Sequence, residues 1–200
     1  MSKLLYVHAN PKPEGTSRTL KISDSFVEAY RQNNPQDEII TLDLYKEDID
    51  FLSKEDISLH YIDPDQQKAH PALKYAFQFL EVDKVVIGAP FWNLSFPAII
   101  KAYLDYVTVS GVTFKYTSQG PVGLCQGKKA MHIVTRGGAY SEEPLSQFEL
   151  GDRYIKTLFG FLGFSEYDTI AVENMDRSDT NVEEVVGDAI KLAQEKAKNF

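Results

Sequence analysis

The run Val85-Val86-Ile87-Gly88 constrains this chain more than any other short stretch, because it has no polar residue with which to face water. A strand apolar on both sides belongs in the middle of a parallel sheet, with helices covering both faces. The rest of the chain must then supply strands and helices in alternation.

It does. Leu4-Leu5-Tyr6-Val7-His8 reads as a first strand, and the Pro11/Pro13/Gly15 loop after it ends at Thr16-Ser17, a helix N-cap neighbourhood. Ile22, Phe26, Val27 and Tyr30 predict a helix that Asn33-Asn34-Pro35 stops. Residues 38–42 form a second strand. From 43 to 68 the chain turns acidic and loses periodicity, which predicts a lid, a partner surface or a short helical insertion. A solvated surface loop accounts for it better than any direct catalytic role.

Leu73, Ala76, Phe77 and Leu80 predict a helix over about 66–81 that leads into the third strand. After that strand, Ser95 as cap and Pro97 in the first turn open a helix carrying Ile100, Tyr103, Leu104 and Val107. Residues 112–116 alternate and precede Thr117-Ser118-Gln119-Gly120-Pro121, a small hairpin or extended excursion. Residues 130–135 and 167–172 are the fourth and fifth strands, and an amphipathic helix over 182–198 closes the chain. The expected fold is α/β: a doubly wound five-stranded parallel sheet of flavodoxin-like order 2-1-3-4-5, helices on both faces, in a single domain over 1–200.

A length of 200 residues with 43% hydrophobic content suits one domain with a sizeable core. The net charge of -8 leaves no basic stripe for phosphate backbones, so a nucleic-acid partner is not expected. Cys125 is the single cysteine and cannot form an internal disulfide, which points to a reducing cytoplasm. No cleavable apolar leader opens the sequence, and the longest uncharged run falls short of the about 18 residues of a membrane helix, so no membrane partner is expected. His8, His60, His70 and His132 lack metal-ligand spacing, so no metal site is expected, and no Gly-x-Ser-x-Gly elbow is present.

In this topology the loops after strands 1, 3 and 4 converge at the carboxyl edge of the sheet, where such folds place ligands. The third-strand loop, Ala89-Pro90-Phe91-Trp92-Asn93-Leu94-Ser95-Phe96-Pro97, offers a flat apolar shelf with an amide at its edge, suited to a planar heteroaromatic ring such as a flavin. The first loop brings Asn10, Ser17, Arg18 and Thr19 to a helix N-terminus, an anion site by its amides and dipole. Capping alone accounts for Thr16 or Ser17, whereas Arg18 and Thr19 tilt the reading toward an anion. Neither a P-loop nor a Gly-x-Gly-x-x-Gly fingerprint occurs, so a monophosphate fits better than a diphosphate. The fourth-strand loop, Thr135-Arg136-Gly137-Gly138-Ala139-Tyr140, lets backbone amides approach a flat ligand. Those amides would stabilise negative charge developing on a reduced ring. Arg136 is better suited to bracing that loop by an ion pair than to catalysis, and Tyr140 either caps the ring or packs.

These residues resemble the FMN-dependent NADH-azoreductases, within the flavodoxin-like quinone reductases, over essentially the whole chain. The specific parts are the stretch from Pro90 to Pro97 with Lys101-Ala102-Tyr103, the stretch from Gly111 to Leu124, and Thr135-Arg136-Gly137-Gly138-Ala139-Tyr140-Ser141. The resemblance implies a homodimer with active sites at the interface and one FMN per subunit. NADH or NADPH would reduce it at flavin N5, and quinones or azo compounds would reoxidise it in ping-pong order at the same face. By motif, phosphate contacts fall on Ser17, Arg18 and Thr19, with Asn10 the weakest assignment. Ring contacts fall on Pro90, Phe91, Trp92, Asn93, Leu94, Thr135, Arg136, Gly137 and Gly138, with Tyr140 beside them. Tyr116 and Phe161 resemble the aromatics that enclose the substrate. Members often carry serine at positions 10 and 135 and tyrosine at 92; Thr135 keeps the hydroxyl and Trp92 the aromatic face. No side-chain acid or base is required, because the flavin carries the chemistry.

Two rivals share the topology. An electron-carrying flavodoxin needs no cover over its ring, and the excursion over 112–124 with Tyr116 argues for a substrate pocket instead. A phosphoacceptor domain needs an acidic cluster after strand 1, and Tyr6-Val7-His8-Ala9-Asn10 offers none.

Overall fold

The structure, a computed structural model, describes residues 1–13, 15–58 and 70–200. Five strands form one parallel sheet: β1 (Lys3–His8), β2 (Glu38–Asp43), β3 (Lys84–Gly88), β6 (Lys129–Thr135) and β7 (Glu166–Val172), in the order β2-β1-β3-β6-β7. β4 (Phe114–Thr117) and β5 (Gly120–Gly123) pair separately as an antiparallel hairpin. With the hairpin strands set aside, the sheet has the expected 2-1-3-4-5 order. β3 is central, in register with β1 (Val86 beside Tyr6) and with β6 (Val86 beside Met131).

Alternation along β3 explains its composition. Val85 and Ile87 enter one core with Leu5, Val7, Phe79, Ile100, Tyr103 and Phe159, while Val86 enters the other with Tyr6, Phe26 and Met131. The first core lies beneath α3 (Lys74–Glu81), α4 (Ala98–Val107) and α5 (Gly151–Leu162). The second lies beneath α1 (Arg18–Asn33) and α6 (Val182–Ala197), where Ala189, Ala193 and Ala197 let the two helices approach closely. Each fully buried large aliphatic side chain contributes about 1.5–3 kcal/mol, so a polar residue at 85–87 would cost one core or the other.

Local structure departs from the sequence reading at three places. Ser95 does not cap α4: Pro97 is its N-cap residue, without a side-chain cap bond. Ser95 instead closes a two-residue turn with Trp92, their backbones bonding reciprocally at 2.7 and 2.9 Å. The expected helix over 66–81 is, in its described part, a 3-10 turn at Pro71–Leu73 followed by α3, and 66–69 lie outside the described residues. Third, α5 is a helix that the sequence reading does not mark. Its N-cap residue is Leu150, which has no capping side chain, and the Glu149 carboxylate takes the first-turn amides of Asp152 and Arg153 at 2.9 and 3.1 Å. The usual Ser/Thr/Asp start signal is therefore missing from the sequence.

The described part of the acidic segment holds a short helix, α2 (Lys54–Ser58), and two of the segment's carboxylates dock on neighbouring helices. Glu47 accepts from Tyr75 at 2.7 Å and Asp56 from Tyr106 at 3.3 Å, on α3 and α4. Residues 59–68 of that segment lie outside the described residues. Among the described residues no helix is long and apolar enough to cross a membrane.

Candidate active site

The loops after β1, β3 and β6 meet at the carboxyl edge of the sheet and line one cleft, joined by the loop after β7. Ser17 begins the β1 side. It is the N-cap of α1, buried, and its Oγ accepts the Leu20 amide at 3.2 Å and an Asn10 Nδ2 proton at 2.6 Å. Asn10 Oδ1 in turn accepts the Lys12 amide at 3.1 Å, so the asparagine sets the shape of the loop. The backbone amides of Arg18 and Thr19 have no acceptor among the described residues, which leaves two donors and the helix dipole for an anion. The Thr19 hydroxyl pairs with that of Thr135 at 2.6 Å and so ties the first loop to the third. Arg18 Nη1 donates to Met175 O at 3.0 Å and lies 3.4 Å from the Asp176 carboxylate, with its side chain still 41% exposed.

The shelf follows from the turn at Trp92–Ser95. Asn93 and Leu94 hold φ of 50° and 68°, the left-handed pair of a type I′ turn. Two non-glycine residues there carry strain of about 1–3 kcal/mol each. That turn throws Trp92, Asn93 and Leu94 outward rather than into the core, with Trp92 36% exposed. Pro90 is buried behind them. The Phe91 amide is fixed to Thr135 O at 3.2 Å, and Leu94 O accepts the Leu150 amide at 3.0 Å, so the shelf is pinned between β6 and the start of α5.

On the third side, Gly137 and Gly138 leave their amides without acceptors among the described residues, while their carbonyls take the amides of Asp176 and Asn174. A Cβ at Gly137 would stand 2.5 Å from Asp176 Oδ2, so any side chain there would push the Asp176 carboxylate aside at the cleft. Arg136 is turned inward and is 3% exposed. Its Nη1 donates to Glu173 at 3.0 Å and to Ser141 at 3.1 Å, and its Nη2 lies 3.2 Å from Glu149. The ion-pair bracing expected of Arg136 is thus what the side chain does. Tyr140 packs on Phe91 with ring centres 4.6 Å apart.

The cleft therefore brings together Asn10, Ser17, Arg18, Thr19, Pro90, Phe91, Trp92, Thr135, Arg136 and Gly137. Asn93, Leu94, Gly138 and Tyr140 flank it through the contacts above. Sequence reasoning did not find Lys12, Met175 or Asp176 in its lining. The loop after the fifth strand has no motif to mark it, and only its backbone pairing with 136–138 brings it in. Tyr116 and Phe161 do come together, each against Phe114 at 5.4 and 5.0 Å, but elsewhere. Phe161 lies eleven residues beyond Leu150, which is about 16 Å along α5 from the shelf contact.

The donor set fits a flavin mononucleotide. Free amides at a helix N-terminus suit the phosphate, an outward aromatic turn suits the ring, and the free Gly137 and Gly138 amides suit its polar edge. Among the described residues no group of His, Cys, Asp and Glu could hold a metal. Burial pushes the Cys125 thiol up to about 11, which keeps it protonated at neutral pH.

Comparison with known proteins places the chain in a family. Residues 2–197 match a family described as having a flavodoxin-like fold. FMN-dependent NADH:quinone oxidoreductase 2 of Clostridium acetobutylicum is 60% identical over 200 residues, covering all of both chains. The protein of that activity from Caldicellulosiruptor saccharolyticus is 53% identical, again over all of both chains. Among solved structures, an azoreductase from Bacillus anthracis str. Sterne superposes with a TM-score of 0.91 at 36% identity and full coverage of both chains. An FMN-dependent NADH-azoreductase from Bacillus anthracis str. Ames Ancestor, in complex with FMN, gives 0.87 at 27% identity, covering 100% of this chain and 99% of that one. With the sheet order, the three convergent loops and full-length identity all in agreement, this chain belongs to the flavodoxin-like family of FMN-dependent NADH:quinone oxidoreductases.

Proposed function

We propose that the chain is an FMN-dependent NADH:quinone oxidoreductase with azoreductase activity, acting as one unit over 1–200. The observation that carries this is that Arg18, Thr19 and Gly137, whose amides have no acceptor among the described residues, line one cleft beside Gly138 and an outward-facing aromatic turn. When bound, FMN would supply the hydride and electron-transfer chemistry between the nicotinamide and a quinone or azo acceptor.

The chain's own residues bind and orient. Arg18 and the amides of the first α1 turn hold the phosphate, and Asn10 fixes the Ser17 cap beside them. Phe91, Trp92 and Leu94 give apolar area to the ring, and Asn93 presents its amide at the ring edge. Thr135 and the Gly137 and Gly138 amides face the polar edge, where preorganised donors favour added negative charge. The donor is a transient substrate, in accord with the missing dinucleotide fingerprint.

The assembly is a homodimer with the site at the interface. Tyr116 is 73% exposed on the hairpin, and with Phe161 it stands at the far end of α5 from its own shelf. Those two aromatics can close over a flavin only by reaching a partner's cleft. A cytoplasmic location fits a lone, buried, unpaired cysteine.

Anaerobic mixing of the purified protein with NADH tests the reading. The flavin's visible band should bleach, and a quinone or an azo dye added afterwards should restore it. A flavin that stays oxidised with NADH yet exchanges electrons with a redox protein would leave the electron-carrier alternative standing. NADPH in place of NADH measures the donor preference.

A further inference from the structure

One carboxylate connects three elements of the cleft that the motifs leave separate. Glu149 is 8% exposed and lies between α5 and the loop after β6. Its Oε1 accepts the Asp152 amide at 2.9 Å and pairs with Arg136 Nη2 at 3.2 Å, and its Oε2 accepts the Arg153 amide at 3.1 Å. The guanidinium so held lies 5.6 Å from the centre of the Phe91 ring, within cation–π range. Its Nε is buried and has no hydrogen-bond partner among the described residues, so only the Nη groups hold the guanidinium by hydrogen bonds. From the other side Glu173 Oε1 takes Arg136 Nη1 at 3.0 Å, the Tyr140 amide at 2.8 Å and Ser141 Oγ at 3.0 Å.

We infer that Glu149 is a positioning residue of the flavin site, acting through Arg136 on the plane of Phe91 and on the glycine loop. This rests on the FMN reading above. A guanidinium fork fixed by two carboxylates has one orientation, and the Phe91 ring resting on it inherits that orientation. Glu149 also ends on the first turn of α5, beside the Leu150 amide that holds Leu94 O. One side chain thereby sets both ends of the ring shelf. Neither carboxylate touches the phosphate loop, so the effect belongs to the ring half of the ligand.

The test is a double-mutant cycle with two probes. Glu149→Gln, Arg136→Lys and the double variant are titrated with FMN and with riboflavin, following flavin fluorescence, with apoprotein melting recorded alongside. Each single change should weaken both probes by a similar factor, about tenfold, the ratio that 1.4 kcal/mol of lost positioning produces. The double variant should be no worse than the weaker single one, because both changes break one linkage. Additive losses, a loss confined to FMN, or unchanged affinities with a lowered melting temperature would overturn the inference and reduce Glu149 to a helix cap. Glu173→Gln repeats the test from the opposite side should Arg136→Lys fold poorly. Failure of the wild-type protein to bind FMN would instead refute the proposed function.

Discussion

Asp152→Asn is the most informative single change for the fold beneath the site. Asp152 lies in the first turn of α5, and one of its oxygens, Oδ1, receives His132 Nδ1 at 2.8 Å, Tyr167 OH at 2.7 Å and Thr169 Oγ1 at 2.7 Å. Asparagine can place a carbonyl oxygen at that point, so the substitution removes charge and keeps shape. Hydrogen bonds to a charged group contribute about 1.5–3 kcal/mol against about 1 for neutral ones, so three bonds losing charge assistance should cost about 2–4 kcal/mol. Burial works to raise the Asp152 pKa, but the bonds from His132, Tyr167 and Thr169 together hold the carboxyl well below the usual range. A group depressed in the folded state stabilises above its unfolded pKa, about 3.9, and loses that contribution as pH falls toward the folded value. Wild type should therefore lose stability steadily below about pH 4 through this group, and Asp152→Asn should lack that component. Urea unfolding at fixed protein concentration, from pH 7 to pH 3, measures both quantities. With a slope of about 2–3 kcal/mol per molar, the midpoint at pH 7 should fall by about 0.7–2 M. A fall under about 0.3 M, or parallel pH profiles for the two proteins, would refute the reasoning.

Three further outcomes test the cleft. Gly137→Val should lower the flavin content of the purified protein, because its Cβ meets the Asp176 carboxylate at 2.5 Å and the added methyls enter the lining; full visible absorbance per protein would contradict that role. Arg18→Ala should weaken FMN by about tenfold and riboflavin little, as loss of one charge-assisted phosphate bond does; equal loss for both would remove the phosphate contact. Tyr116→Ala should leave FMN affinity unchanged while raising the KM for the acceptor, measured by steady-state quinone reduction; an unchanged KM would free Tyr116 from the substrate site.

Much of this architecture is legible in one dimension. The doubly apolar β3 implies a covered parallel sheet, and the spacing of Ile22, Phe26 and Tyr30 or of Ile100, Tyr103 and Leu104 marks helices, because burial on one side imposes a period on the sequence. The three loops of the cleft are legible too, since topology alone brings them to the carboxyl edge of the sheet. α5 escapes because Glu149, one residue ahead of Leu150, caps it in place of a standard N-cap residue. The turn at Asn93 and Leu94 escapes because only backbone geometry reveals a left-handed pair without glycine.

What the sequence by itself determined was therefore the fold class, the edge of the sheet that carries the site, and the chemical kind of ligand that loop composition favours. Tertiary structure alone decided which groups remain available to that ligand. Arg136, a cation in a glycine loop, is spent on Glu149 and Glu173, while Asp176 enters the cleft from a loop without a motif. Periodicity records which side of an element is buried, a property of neighbours along the chain. Whether a polar group is free or paired depends on partners that are distant in sequence, such as Arg18 with Met175 or Thr19 with Thr135, and only folding selects them.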